Sequence, residues 1–378
     1  MAERVLGVGL TGTKLTGLER RMLEELTPFG VILFARNVGT ATELEQLCGE
    51  LSEIGDPPPL IFIDQEGGRV DRLRDIIPGI PGAAATAEAE NAEEVAMRVG
   101  ALIGDSLRHF SIDVNLAPVV DIERDHPVAG LERRIYGKDP ETVINLAASF
   151  MRGLHSRGVA ACLKHFPGMG AGVGDAHYGA SVMEVSEEEL RKVDLAPYRA
   201  LANEAKAVMI GHGIYPRIDP GTPATLSRKI AHEILRDELG FEGIALSDDM
   251  EMHAVSDLGS FDEIKERALL SGNDVVFFCS QVERMPELMR DIQRRLDEDP
   301  GFCDRFEEAA SRTEQYRSYV KELQRNQQPT MKDFASIRAA VDQFCQEFEE
   351  TCGRSRMGER RAKPRTPGTG RTGREEWT

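Results

Sequence analysis

The sequence has few of the features that mark secreted, zinc-binding or membrane-spanning proteins. Its six cysteines are scattered and form no Cys-x-x-Cys pair, which argues against a disulfide framework or a zinc knuckle and predicts a reducing compartment. No apolar run reaches the roughly 18 residues that a membrane span needs, and residues 1–7 hold no apolar signal core. We therefore expect a cytoplasmic protein with no membrane partner.

Lysine and arginine, 46 in all, are outnumbered by 64 aspartates and glutamates, and tryptophan is scarce. The formal net charge of -18 gives an acidic surface, which disfavours nucleic acid and anionic membranes as partners. The one tryptophan, Trp377, lies next to the last residue, which argues against a site that holds a long glycan chain by stacking on indole rings. We expect a monomer that acts on a small molecule and binds no nucleic acid.

Short apolar or β-branched runs recur along the chain, and each gap between them leaves room for one helix. Near-continuous apolarity is typical of parallel strands that are buried on both faces. The first turn, Thr11-Gly-Thr-Lys14, is not the phosphate-binding glycine loop of an open doubly wound sheet. The pattern therefore predicts an α/β fold with a single (β/α)8 TIM-type barrel. The eight runs cover residues 5–10, 31–35, 60–64, 114–121, 161–165, 207–214, 243–248 and 274–279.

Helix signals fill the gaps and continue after the last run. Thr16-Gly-Leu-Glu19 and Thr40-Ala-Thr-Glu43 both fit the capping box that opens a helix. Further helices are predicted at about 283–298, 303–325 and 331–351. We expect a catalytic barrel over 1–300, helices that pack on it over 301–352, and a disordered basic tail over 353–378, where little can be buried.

Polar side chains follow five of the predicted strands at their carboxyl ends. They are Asp64, Asp121, the pair Lys164 and His165, His212, and Asp248. In a closed barrel these ends converge on one mouth. The sequence therefore predicts that residues far apart along the chain share one pocket.

Residues 164–177 form a glycine-rich segment that ends in Asp175 and His177. Glycine at four alternate positions, 168 to 174, leaves the backbone few steric limits, so the segment could swing over a bound substrate and release it. Asp175 could orient and charge-tune the imidazole of His177. We predict a mobile general acid/base here, with an incidental Asp-x-His pair in a flexible turn as the alternative.

Two chemistries compete for this pocket. A divalent metal would find ligands in His165, His177, His212, Asp64 and Asp248. The first strand lacks a His-x-His pair, however, and Lys164 beside His165 would oppose a metal ion. Glycosyl transfer needs one ionised carboxylate as nucleophile and one proton donor. Asp248 and His177 meet that requirement, so we predict no metal.

Six segments carry a resemblance to a known family. They are Gly30-Val-Ile-Leu-Phe-Ala-Arg-Asn37, Ile63-Asp-Gln-Glu-Gly-Gly-Arg-Val70, Asn115-Leu-Ala-Pro-Val-Val-Asp121, Lys164-His-Phe-Pro-Gly168, Asp175-Ala-His177 and Ser247-Asp-Asp-Met250. In order and spacing, from residue 5 to about 280, the chain resembles glycoside hydrolase family 3, in its NagZ subgroup of β-N-acetylglucosaminidases. The resemblance implies a retaining exo-hydrolase on a (β/α)8 barrel that needs no cofactor. It also implies removal of terminal non-reducing N-acetyl-β-D-glucosamine, in bacteria from cytoplasmic muropeptides during cell-wall recycling.

The resemblance also implies roles for single residues. Asp248 matches the nucleophile that forms the glycosyl-enzyme, and Asp249 would be structural. His177 matches the acid/base, and Asp175 its partner. The sugar hydroxyls would be bound by Asp64, Arg134, Lys164 and His165, with His212 as a further pocket histidine for which a structural role is equally open.

Three points stay open in the sequence. Arg134 is preferred to Arg133 only because of its distance to Gly137. Met169 and Ala176 stand where the subgroup often has histidine and serine, so the aglycone that the loop accepts is undefined. A phosphorylase of the same family, a metal-dependent barrel hydrolase and a catalytically silent sugar-binding barrel remain alternatives.

Overall fold

The computed structural model describes residues 2–125, 130–173, 181–256, 258–280, 284–331 and 333–352. The predicted acid/base pair, Asp175 and His177, lies outside the described residues, as does Ala176 between them. The predicted tail, 353–378, with Trp377, also lies outside them.

Nine parallel strand segments form one sheet that closes on itself. They are β1 Leu6–Gly9, β2 Gly30–Leu33, β3 Leu60–Ile63, β4 Val114–Asn115, β5 Ala160–Ala161, β6 Leu163–Phe166, β7 Ala207–Ile210, β8 Ile244–Asp249 and β9 Val275–Phe278. The strand order is β5-β4-β3-β2-β1-β9-β8-β7-β6. The two outermost segments belong to one run that is interrupted only at Cys162, whose N–H donates to the carbonyl of Ala117 at 3.0 Å. The ring therefore has eight strand positions, and the predicted (β/α)8 barrel is confirmed.

Helices connect the strands and continue beyond them. They are α1 Gly17–Leu26, α2 Ala41–Ser52, α3 Ala83–Ala87, α4 Ala92–His109, α5 Pro140–His155, α6 Glu187–Glu189, α7 Ala196–Ala205, α8 His253–Ser256, α9 Phe261–Ser271, α10 Met285–Glu298, α11 Pro300–Asn326 and α12 Phe334–Cys352, with π-helical segments at Leu190–Asp194 and Lys229–Glu238. Both predicted capping boxes are confirmed, because Thr16 and Thr40 each accept a hydrogen bond from the backbone N–H three residues on. None of the described helices is both long and apolar enough to span a lipid bilayer.

The interior of the barrel is filled by side chains. Phe62 and Phe277 meet edge to face, with ring centroids 5.4 Å apart. Glycine lies opposite each ring, because a Cβ atom on Gly7 would come within 2.3 Å of Phe277 and one on Gly30 within 2.3 Å of Phe62. The barrel is thus a packed core and not a pore, so a ligand binds at its mouth.

Helix α11 closes the amino-terminal face of the barrel. Arg317 donates to the backbone carbonyls of Phe29, at 3.1 Å, and of Pro58, which lie just before β2 and β3. Gln324 donates to Asp113, just before β4, at 2.7 Å. The carboxyl-terminal ends of the strands therefore form the open face.

Asp274 ties this helix to the barrel. Its carboxylate lies 2.6 Å from a nitrogen of Arg236, 3.0 Å from Arg305 and 3.1 Å from Arg312, and it also accepts the N–H of Ala245 at 2.9 Å. Burial opposes ionisation of this carboxyl, but the three guanidinium groups hold its pKa below the ordinary value. The group is therefore an anion that joins Lys229–Glu238, β8 and α11.

We expect Asp274→Asn to lower the free energy of unfolding by about 3–5 kcal/mol, because three arginines would be left without their buried counter-charge. Denaturant titration monitored by circular dichroism measures this. Asp304→Asn, on the exposed side of α11, is the matched control and should change stability by less than about 0.5 kcal/mol. Equal effects of the two substitutions would contradict the role of Asp274.

Candidate active site

Three polar side chains, Asp64, Lys164 and Asp248, stand above the apolar interior. Successive residues of a strand point to opposite faces, so the residue two positions beyond an interior side chain faces the barrel axis again. Each of the three follows an interior residue at that spacing; these residues are Phe62, Cys162 and Leu246. They come from the third, fifth and seventh strand positions, and alternate strands supply one layer of such a barrel.

Two of these residues belong to a dense network of charges. The Nζ of Lys164 lies 2.6 Å from Oδ1 of Asp64 and 2.7 Å from Oε1 of Glu66. Arg134 binds Glu66 through two parallel hydrogen bonds of 2.8 and 2.7 Å. Arg72 approaches the other oxygen of Asp64 at 3.7 Å. The structure thus brings together three of the residues predicted to bind sugar hydroxyls.

The inner part of this network consists of three charged side chains, Glu66, Lys164 and Arg134. Burial opposes ionisation of Glu66, but Arg134 and Lys164 hold its pKa well below the usual range. Burial likewise opposes the charge on Lys164 and Arg134, yet Asp64 and Glu66 raise the pKa of both. The mouth therefore presents fixed ammonium, guanidinium and carboxylate groups to a ligand.

The two alternatives for the sugar-binding arginine, Arg133 and Arg134, lie in different surroundings. Arg134 points into the mouth, where it also donates to the carbonyl of Gly130 at 2.9 Å. The side chain of Arg133 is 49% exposed and lies 3.8 Å from Glu88. Of the two, only Arg134 is in a position to meet a ligand in the mouth.

His165 is oriented by Asp121. The Nδ1 atom of His165 lies 2.8 Å from Oδ2 of Asp121, and Oδ1 of the same carboxylate accepts the N–H groups of His165, at 3.3 Å, and of Met169, at 2.7 Å. Because Asp121 is fully buried, these bonds fix the imidazole relative to the start of the glycine-rich segment.

The neighbouring carboxyls of Asp248 and Asp249 differ in pKa. Burial opposes ionisation of Asp248, but His212, His165, the backbone N–H of Asp249 and Lys164 together hold its pKa below the ordinary value. Burial, with the charges of Glu251 and Asp248, raises the pKa of Asp249 to about 7. Asp248 is half-buried, whereas Asp249 is buried and accepts the N–H groups of Glu251, at 3.1 Å, and Cys279, at 3.3 Å. Asp248 is thus the anion that faces the mouth.

Both ring nitrogens of His212 have protein partners. Its Nδ1 lies 2.7 Å from the hydroxyl of Thr225 and its Nε2 lies 2.8 Å from the backbone carbonyl of Asp249. Burial lowers the pKa of His212, so the ring is neutral near pH 7, and Lys164 carries the lasting positive charge beside Asp248. The substrate-binding role predicted for His212 would require one of these two bonds to break.

Several residues of the site were not predicted to take part. They are Glu66, Arg72, Asp121 and Thr225, of which Asp121 was recognised only as a strand exit. Glu66 had a usable signal, since it lies two residues beyond Asp64 in an extended segment and so shares its face. Within the described ranges, no group of three or more His, Cys, Asp or Glu side chains is arranged to hold a metal ion.

The fold and the mouth define a (β/α)8-barrel enzyme whose polar site lies at the carboxyl-terminal ends of the strands. Residues 4–312 match the family described as "Glycosyl hydrolase family 3 N terminal domain". The chain therefore belongs to glycosyl hydrolase family 3, and it is a glycoside hydrolase.

Individual relatives agree with this assignment. A β-hexosaminidase of Pseudomonas aeruginosa strain LESB58 is 35% identical over 319 residues, which cover 84% of this chain and 95% of the relative. The family 3 β-N-acetylglucosaminidase of Paenibacillus sp. strain FPU-7 superposes with a TM-score of 0.78 at 28% identity, covering 91% of this chain and 68% of that one. NagZ from Neisseria gonorrhoeae gives 0.72 at 28% identity, covering 90% and 97%, and its structure is also known in complex with N-trifluoroacetyl-D-glucosamine.

We expect Glu66→Gln to lower stability by about 3 kcal/mol at pH 7, because Lys164 and Arg134 would lose a buried counter-charge. The pKa of Glu66 is depressed in the folded state, so its contribution is fully present above the unfolded value of about 4.3 and is lost as the pH falls toward the folded value. The difference in Tm between wild type and variant should therefore shrink below about pH 4.

Thermal unfolding between pH 3 and pH 8 measures that difference. Glu90→Gln, at an exposed position, is the control. A Glu66→Gln deficit that is the same at pH 3 and at pH 7 would show that its carboxylate charge is not what stabilises the mouth.

Proposed function

We propose that the protein is a retaining exo-β-N-acetylglucosaminidase in which Asp248 forms a covalent glycosyl-enzyme. The observation that carries this proposal is the position of Asp248, an ionised, half-buried carboxylate on the inward face of β8, at the mouth and next to the charged network that contains Lys164. A retaining glycosidase needs such a carboxylate on one face of the sugar.

The proposed reaction has two steps. Asp248 attacks the anomeric carbon and forms an ester bond while the bond to the leaving oxygen breaks, and the imidazole of His177 gives its proton to that oxygen. In the second step His177 accepts a proton from water, the water oxygen attacks the anomeric carbon, and the ester bond to Asp248 breaks. A neutral imidazole as base avoids a second negative charge beside the nucleophile.

The residues that flank Asp175 and His177 support their part in this proposal. Gly172–Val173 pairs antiparallel with Val182–Met183, so the two sides of the intervening segment start close together. The N–H of Met183 donates to the carbonyl of Ile214 at 2.8 Å, just beyond the carboxyl end of β7. Both flanks are therefore anchored at the rim of the mouth that holds Asp248.

We assign the sugar hydroxyls to Asp64, Lys164, Arg134 and His165. Fixed donors and acceptors that alternate within one small region suit a polyhydroxylated ligand, since each hydroxyl both donates and accepts. The name of the Pseudomonas relative and the N-trifluoroacetyl-D-glucosamine complex of the Neisseria protein support a 2-acetamido sugar as the substrate. We further propose that the physiological substrates are cytoplasmic muropeptides from cell-wall recycling.

An aryl N-acetyl-β-glucosaminide should be hydrolysed with retention, so proton NMR should show the β anomer of N-acetylglucosamine as the first product. Addition of phosphate should yield no sugar phosphate, and a strong chelator should leave the rate unchanged. Inversion, a sugar phosphate or loss of activity with the chelator would each point to a different mechanism.

In the same assay Asp248→Ala should lose several orders of magnitude in turnover while it still binds N-acetylglucosamine. Added azide should take the place of the missing Asp248 carboxylate, attack the anomeric carbon from that side and give the α-glycosyl azide. Asp237→Ala, which removes an exposed carboxylate, is the control. Retained activity in Asp248→Ala would remove this residue as the nucleophile.

General acid catalysis matters most for a poor leaving group. His177→Ala should therefore cost little on an activated aryl glycoside and roughly 10² to 10⁴-fold on a sugar leaving group. Asp175→Ala should show the same contrast more weakly, because the imidazole remains but is no longer oriented. The ratio of kcat/KM on the two substrates measures the effect. Equal losses on both would mean that His177 binds substrate or supports the structure.

A further inference from the structure

Three hydrogen bonds connect a buried threonine to the carboxylate that we assign as nucleophile. The hydroxyl of Thr225 lies 2.7 Å from Nδ1 of His212, and Nε2 of His212 lies 2.8 Å from the backbone carbonyl of Asp249. The backbone N–H of Asp249 donates to Oδ1 of Asp248 at 2.8 Å. The imidazole is only 3% exposed and Thr225 is fully buried.

The threonine at the start of this series of hydrogen bonds is itself held in place. The backbone carbonyl of Thr225 accepts hydrogen bonds from Oγ of Ser271, at 2.7 Å, and from Nδ2 of Asn273, at 2.8 Å. Both of these side chains are buried. The backbone at Thr225 is therefore held by the segment that leads into β9, and the Thr225 side chain is buried away from solvent.

The partners of His212 determine where its hydrogen lies. A backbone carbonyl only accepts, so Nε2 must donate to Asp249. The neutral ring has one N–H, and Nδ1 must then accept from the hydroxyl of Thr225. Every donor in the chain points the same way, from Thr225 through the imidazole and residue 249 toward Asp248.

We infer that His212 is a positioning residue for Asp248. Oriented by Thr225, it holds the backbone at residue 249, and the N–H of that residue holds the Asp248 carboxylate at the mouth. This inference rests on the proposed function, in which Asp248 is the nucleophile. Of the two roles that the sequence leaves open for His212, substrate binding and a structural role, it favours the second.

A neutral imidazole suits this position. The titratable groups that face His212 are Asp248, on β8, and His165, on β6, while Lys164 faces Asp248 from β6. An imidazolium at position 212 would pair with Asp248 and compete with its attack on the anomeric carbon. A ring that acts only through its N–H toward the backbone holds the carboxylate in place without neutralising it.

The test compares Thr225→Val, Thr225→Ser, His212→Gln and His212→Ala with wild type on an aryl N-acetyl-β-glucosaminide. Thr222→Val, in the same loop and half-exposed, is the matched control. Each variant is measured for kcat/KM across pH, for the inhibition constant of N-acetylglucosamine, and for Tm. His212→Gln retains an N–H donor that can reach the carbonyl of residue 249.

We expect kcat/KM to fall about 10-fold in Thr225→Val and about 10²-fold in His212→Ala. Thr225→Ser and His212→Gln should recover most of these losses, and binding of N-acetylglucosamine should change little. The acidic limb of the pH profile should move to higher pH in Thr225→Val and His212→Ala, because Asp248 loses part of the N–H contact that favours its ionised form.

The outcomes separate the two proposals. If wild type fails to hydrolyse the substrate, or if Asp248→Ala retains activity, the proposed function fails and this inference falls with it. If both of those tests succeed but Thr225→Val and His212→Ala keep the wild-type pH profile, the positioning role is overturned. A fall in kcat/KM matched by weaker binding of N-acetylglucosamine would overturn it in favour of direct sugar binding by His212.

Discussion

The chemistry at the mouth depends on a barrel interior that is tightly packed with side chains. The edge-to-face contact of Phe62 and Phe277 fills the space opposite Gly7 and Gly30 so closely that a single methyl group there would collide. A ligand cannot enter so tightly packed a core. The first inward-facing residues that can contact a ligand therefore lie two positions farther along each strand. That layer has apolar packing below and solvent above, and its low dielectric strengthens each charge interaction within it.

A low dielectric also makes an unpaired charge energetically unfavourable. At the mouth, four of the charged groups that the structure describes are paired with one another and Asp248 is not. Lys164, Arg134, Asp64 and Glu66 neutralise one another through contacts of 2.6 to 2.8 Å. Among the described residues Asp248 has no ion pair, and a backbone N–H is its direct partner. Asp248 is thus the carboxylate at the mouth that this network leaves without a cationic partner. The next residue, Asp249, points the other way and burial raises its pKa to about 7, so two neighbouring carboxyls on one strand differ in pKa.

Much of this architecture could be predicted because its causes are local. A strand buried on both faces must be apolar nearly throughout, and a capping threonine must lie three residues before its glutamate, so both can be recognised from short segments. The contacts that close the barrel are different. Arg317 reaches the carbonyl of Phe29, 288 residues earlier in the chain, and a helix pattern predicts that α11 exists but not what it covers. Glu66 depends on similarly distant partners, since Arg134 lies 68 residues away and Lys164 lies on β6. Thr225 meets His212 across 13 residues that no helix or strand pattern describes.

His165 and His212 show where residue type stops being informative. Each follows a strand of the same barrel, and the sequence predicts both as pocket histidines, with a structural role equally open for His212. In the fold, the Nδ1 of His165 faces the carboxylate of Asp121, whereas both nitrogens of His212 face neutral groups, a hydroxyl and a carbonyl. Burial among neutral groups favours the uncharged ring of His212. Because these partners come from segments 13 to 44 residues away along the chain, the different surroundings of the two histidines are a property of the folded barrel and not of either strand exit alone.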